Sequence, residues 1–168
     1  MSQFTPQNAD FEAVVRESFG RQQVMRTIGA SMARVIPGEV MITLPFRSDL
    51  TQQHGFVHAG IVTTIVDSAA GYSALSLMPS DVGVLSVEYK VNFVAPAAGA
   101  LFVAVGRVLK PGRTLMVCSG EVYALSVGET ANVLITAGDL SELCQTGKLV
   151  VTMLATMMVM QDRQGIVG

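Results

Sequence analysis

The segment from Ala59 to Leu77 constrains this chain more than any other. It reads AGIVTTIVDSAAGYSALSL, is followed by Met78 and Pro79, and carries one charged side chain, Asp67. A long Ala-rich run that stops before a proline predicts a helix over about 59–77. On a helical wheel, Gly60, Thr63, Thr64, Asp67, Gly71 and Ala74 share one narrow arc. The rest of the circumference is apolar except for Ser68, Ser73 and Ser76. A helix apolar over most of its surface is buried on most sides, so a sheet is expected to wrap around it. The remaining stripe of small, mildly polar residues would face another subunit or a ligand tunnel.

Asp67 needs an explanation, because burying an unpaired carboxylate costs several kcal/mol. One reading is structural, with the acid bonded to Ser or Thr hydroxyls across an interface. The other is catalytic and draws on the helix start. His58 precedes Ala59 and Gly60, whose backbone N–H groups have no intrahelical acceptor and point toward the preceding loop. Such donors suit a carbonyl oxygen that gains negative charge during acyl transfer. Asp67 lies two turns further along the same face, too far to serve a carbonyl held at its own helix start. Two such helices running antiparallel across a dimer interface would create two composite sites.

Around this helix the period of the sequence changes. Phe11, Val14, Val15 and Phe19 have helical spacing, with Asn8 or Asp10 placed to cap, and Val24, Met25 and Ile28 form a second short set before Gly29. A helical extension over about 8–28 is expected. Met32–Ile36 and Val40–Phe46 flank Pro37-Gly38-Glu39 and read as a hairpin. After Gly83 the chain is almost all strand. Leu85, Val87, Tyr89, Val91 and Phe93 alternate with Ser86, Glu88, Lys90 and Asn92, which predicts one buried and one polar face. Further strands are expected over Leu101–Leu109, Thr114–Leu125 and Lys148–Met160, with a tight turn at Lys110-Pro111-Gly112-Arg113. The residues 126–147 form a long excursion with a β-like stretch at Asn132–Thr136, either an extra hairpin or a loop. The sum is one α+β domain over 1–168, a strongly curved antiparallel sheet around one long central helix.

Composition narrows the function. Half of the residues are hydrophobic and 14% are charged, well under the usual quarter or so, which implies an apolar face buried against other copies of the chain. The net charge of −2 and a pI near 5.6, with no basic run, speak against nucleic-acid binding. The two cysteines, Cys118 and Cys144, make no disulfide framework, and nothing resembles a metal site. The first ten residues are polar and the apolar stretch Leu149–Met160 is too short to span a bilayer. A cytoplasmic protein without a membrane partner is expected.

The stretch Gln52-QHGFVHAGIVTTIVDSAAGYSAL resembles the active-site segment of the PaaI-type hotdog-fold thioesterases. The family pattern places His-Gly-Gly ahead of an acidic residue nine positions after the His. His58, Ala59, Gly60 and Asp67 keep that spacing. The blocks Gly83-VLSVEYKVNFVAPA and Lys110-PGRT resemble the strand and turn that follow, and the likeness spans about Arg26–Leu125 and resumes in Lys148–Met158. It implies a hotdog fold and hydrolysis of an acyl-CoA, of medium-chain or aromatic type, by a homodimer that pairs into a tetramer. It implies that Asp67 activates water or attacks the thioester, and that Ala59 N–H, helped by Gly60, polarises the carbonyl. By the same likeness Ser86 holds the water, while Gln52, where the family more often has Asn, hydrogen-bonds at the site. His58 would orient the helix start; His54 is a further histidine in the loop. Thr63, Thr64 and Gly71 would line the substrate path. Lys110 and Arg113 either lie near the CoA phosphates or form an ordinary charged turn. No cofactor is implied, since CoA belongs to the substrate. The competing readings are an acyl-CoA binding or sensing module without catalysis, and a hydratase or dehydratase of the same fold.

Overall fold

The structure, a computed structural model, describes residues 4–126 and 146–160. The chain opens with helices α1 (Phe11–Arg21) and α2 (Gln23–Ile28), broken at Gln22, whose backbone is extended. Asp10 occupies the cap position of α1 without a side-chain capping bond; Asn8 instead accepts the Asp10 N–H at 3.0 Å. Gly29 ends α2 in the left-handed conformation at φ 79°, which a residue without Cβ adopts at little cost.

Strands β1 (Ser31–Ile36) and β2 (Glu39–Pro45) form the expected hairpin, and the central helix α3 (Ala59–Leu75) follows. Then come β3 (Gly83–Phe93), β4 (Leu101–Lys110), β5 (Leu115–Leu125) and β6 (Lys148–Met160). The described strands make one antiparallel sheet in the order β1-β2-β4-β5-β6-β3. Because β2 pairs with β4, the segment carrying α3 and β3 leaves the sheet and returns at its far edge. The expected α+β hotdog architecture is therefore present: a curved antiparallel sheet around one helix. The β-like stretch expected at 132–136, and Cys144, lie outside the described residues.

The helix packs onto β4 and β5 with almost nothing between. A Cβ at Gly106 would sit 2.2 Å from the Ala69 carbonyl, and one at Gly120 would sit 2.5 Å from Val66 Cγ2. Val62, Ile65, Val66, Ala69 and Ala70 are buried against the sheet. On its opposite face, Arg107 bridges Glu39 at 3.1 Å and Glu121 at 2.7 Å, tying β2, β4 and β5 together.

Two expectations need correction. The helix ends at Leu75, not Leu77, because the chain tightens into i→i+3 bonds, from Leu77 N–H to Ala74 and from Met78 N–H to Leu75. More consequentially, β3 does not have one buried apolar face. The pairing with β6 shifts register between Ser86 and Glu88, a bulge at Val87. Ser86 lies opposite buried Met157, while Tyr89, Val91 and Phe93 lie opposite Ala155, Met153 and Val151, all core residues. Opposed residues share a face, so Ser86 points to the helix side with Tyr89, and Leu85 points away with Glu88. One extra residue inverts the alternation. Nor is the apolar set covered: Leu85, Val87, Tyr89 and Phe93 are 43–52% exposed on this edge strand.

Candidate active site

The site begins at the first turn of α3. His58 is its N-cap, and the ring Nδ1 accepts the Gly60 N–H at 2.9 Å. An accepting Nδ1 requires the neutral ring with its proton on Nε2. The His58 carbonyl takes the N–H of Ile61 at 2.9 Å and of Val62 at 3.3 Å. Of the two donors expected at this helix start, Gly60 is therefore engaged by the cap. Among the described residues the Ala59 N–H meets no acceptor, and it sits at the positive end of the helix dipole.

The preceding loop is held by its own backbone. The His58 N–H bonds Leu50 at 2.9 Å, the Gln52 N–H bonds Phe56 at 2.9 Å, and Gly55, at φ 83°, returns its N–H to Gln52 at 3.0 Å. The Gln52 side-chain oxygen accepts the His54 N–H. This fixes Gln52 at the rim of an apolar cavity of about 290 Å³, lined also by Phe56, Ala59, Val62, Phe93 and Ala97. His54 joins the loop through its main chain and lines none of the cavities described here.

Asp67 lies in a second cavity, of about 270 Å³. Ser86 Oγ donates to its Oδ1 at 2.7 Å, the bond that the bulge in β3 makes possible. Burial pushes the Asp67 carboxyl up from its ordinary value, and the Ser86 bond offsets this in part. Gly71 lines the same cavity, as do Tyr72, Ser18 of α1 and Gln22, which follows α1. Asp67 is eight positions past Ala59, roughly 12 Å along the axis. Ala59, with its unengaged N–H, and the Asp67 carboxylate of one chain thus line different cavities.

The remaining expected residues divide. Thr63 and Thr64 lie on the open stripe, but their hydroxyls bond back to the Ala59 and Gly60 carbonyls at 2.8 and 2.7 Å. Arg113 lines a third cavity, with Phe4, Gln7 and Leu77, and Lys110 ends β4; neither lines the cavities of Asp67 or Gln52. The sequence reading missed the α1 wall beside Asp67. Its signal was indirect: Ser68 and Tyr72 flank the Asp67 stripe on the helix, with polar groups that need partners. Cys118 is buried under α3 and its thiol is pushed up to about 11 by burial, which leaves it protonated and unfit as a nucleophile. Among the described residues, no cluster of His, Cys, Asp or Glu is arranged to hold a metal ion, and no helix is long and apolar enough to cross a membrane.

Comparison with known proteins agrees with this fold. A profile described as Thioesterase superfamily matches residues 54–131. A thioesterase family protein of Silicibacter pomeroyi shares 43% identity with the chain, covering 90% of it and 99% of the other at a TM-score of 0.78. Human acyl-coenzyme A thioesterase 13 is 24% identical over 127 residues, 74% of this chain and 90% of that one. The E. coli PaaI protein from the phenylacetic acid degradation operon has the same fold, with a TM-score of 0.71 at 13% identity over 94% of this chain and 96% of its own. By the identity and the coverage of the Silicibacter protein, the chain belongs to the thioesterase superfamily, hydrolases with a hotdog fold.

Proposed function

We propose that the protein hydrolyses an acyl-CoA thioester to the free acid and CoA, with Asp67 as the catalytic carboxylate. Asp67 takes a proton from water as the water oxygen adds to the thioester carbonyl, or adds to that carbon itself to form an anhydride that water then opens. The carbonyl oxygen gains negative charge and is held by the Ala59 N–H at a helix start. Collapse expels CoA as its thiolate, which takes up a proton.

The observation that carries this reading is the state of Asp67. It is the one acidic residue of α3, faces a cavity, is raised by burial, and is oriented by a hydroxyl at 2.7 Å. A residue placed only for stability gains nothing from such desolvation; a base working near neutral pH does. The 12 Å or so between Asp67 and the Ala59 donor supports a composite site, one chain supplying Ala59 and Gln52 and a second supplying Asp67 and Ser86. The exposed edge of β3, joined to the open stripe of α3 by the Ser86–Asp67 bond, is the surface we assign to that association.

The test is thiol release from a panel of acyl-CoAs. We expect Asp67→Asn to lower kcat at least about 100-fold on the best substrate. A variant as fast as wild type sinks the assignment; stabilisation by CoA esters without any turnover favours a binding module instead.

A further inference from the structure

Gly71 lies one turn beyond Asp67 on the same face of α3. It is buried, yet a Cβ built on it meets no atom within 4 Å. The open space is the Asp67 cavity, which runs from Asp67 and Ser86 past Gly71 to Leu75. Its volume of about 270 Å³ lies just under the usual range for small-molecule sites, which favours a compact acyl group.

The wall facing Gly71 comes from α1 and the residue that follows it, and is polar. Ser68 Oγ donates to the Gln22 side-chain oxygen at 3.3 Å, and the hydroxyls of Ser18 and Tyr72 are 3.5 Å apart. Both distances are long for bonds between such groups. Tyr72 is only 4% exposed, and its hydroxyl has no partner other than Ser18 among the described residues. A buried hydroxyl with one contact at the limit of bonding range has unused capacity. Burial also pushes the Tyr72 phenol up from its ordinary value, so it is a neutral donor wherever the enzyme works. Filling the cavity with a plain alkyl group would leave these groups dry and unpaired. An acyl group ending in a hydroxyl or carbonyl would satisfy them.

We propose that this cavity receives the acyl group, and that Tyr72, Ser18 and Gln22 select compact acyl groups with a hydrogen-bonding far end. The inference rests on the reading of Asp67 as the group at the thioester carbonyl. Tyr72 is five residues past Asp67, roughly 7–8 Å along the axis, so the polar end lies beyond the carbonyl, and a six-carbon chain is a suitable probe of the span.

Acetyl-CoA, hexanoyl-CoA and ω-hydroxyhexanoyl-CoA, compared by thiol release, test it. Wild type is expected to favour the hydroxy substrate over hexanoyl-CoA at least tenfold in kcat/KM. Tyr72→Phe keeps the edge contact with Phe19, at 5.9 Å between ring centroids, and should bring that ratio close to one. Gly71→Leu grows into open space and should shift preference toward acetyl-CoA about tenfold or more. Gly71→Ala serves as the folding check, since replacing a helix-interior glycine should raise Tm. Equal rates on the two hexanoyl substrates, or an unchanged preference in either Tyr72→Phe or Gly71→Leu, overturn the selectivity while leaving hydrolysis intact. No thiol from any of the three substrates, with turnover of another acyl-CoA, also overturns the selectivity alone; release that Asp67→Asn does not slow overturns the catalytic reading together with it.

Discussion

The two faces of α3 use missing side chains for opposite ends. Toward the sheet, Gly106 and Gly120 have no room for a Cβ, since Ala69 and Val66 already occupy the space. There glycine brings backbones together. On the open face, Gly71 has no neighbour where its Cβ would be, and there glycine keeps a space empty. The difference separates what holds the helix from what the helix holds. A rigid contact on one side lets the other carry a desolvated carboxylate beside a cavity without the element shifting. Substitutions on the open face should therefore change rates, and those on the sheet face should change stability.

The sharpest test is Ala59→Pro. Proline is favoured at the first position of a helix, and His58, at φ −59° and ψ 139°, already has the backbone a following proline requires. The change removes the free N–H while keeping the helix start, so we expect kcat to fall by about 10²–10³ with Tm nearly unchanged. Mixing Ala59→Pro with Asp67→Asn and allowing subunits to exchange should restore about a quarter of wild-type activity, because about half of the dimers would each hold one intact site. No recovery from folded, associated chains would mean that each site lies within one chain.

On the opposite face Gly106→Ala should cost roughly 3 kcal/mol, at the upper end for overpacking, and lower Tm by on the order of 10 °C. A neutral result by calorimetry would erase the contrast between the faces. His58→Ala removes the cap of α3 and should cost about 1 kcal/mol in thermal unfolding. The smallest effect is on stability in Asp67→Asn. Burial raises the folded-state value of this carboxyl, so the fold binds its proton more tightly than the unfolded chain does, and ionised Asp67 costs stability at neutral pH. The variant should melt slightly above wild type near pH 7. The gap should close as pH falls through the raised value toward the ordinary carboxylate range; a gap that widens on acidification contradicts it.

Much of this was legible in the sequence, for local reasons. The run around Asp67 could be nothing but a helix buried on most sides, and the hairpin at Pro37-Gly38 announces itself by turn chemistry. The separation of Ala59 from Asp67 follows from helix rise alone. Other features depend on contacts that no local pattern encodes. The bulge at Val87 has no signature in composition, yet it reverses which residues of β3 face α3. It also explains how Ser86, grouped by alternation with Glu88 and Lys90, reaches Asp67. The wall formed by Ser18 and Gln22 comes from residues 54 and 46 positions away from their partners Tyr72 and Ser68. The loss of the Gly60 donor depends on one rotamer of His58. Lys110 and Arg113 were singled out by resemblance, and within one chain they lie apart from the Asp67 cavity.

The bulge in β3 has a second consequence, for what the chain avoids. An eleven-residue edge with apolar side chains is a ready template for any extended polypeptide that meets it during synthesis. An extra residue at Val87 breaks the regular run of free backbone groups and twists the edge. A flat strand from an unrelated protein cannot zip along its whole length, so the irregularity that aims Ser86 also protects the chain from indiscriminate aggregation.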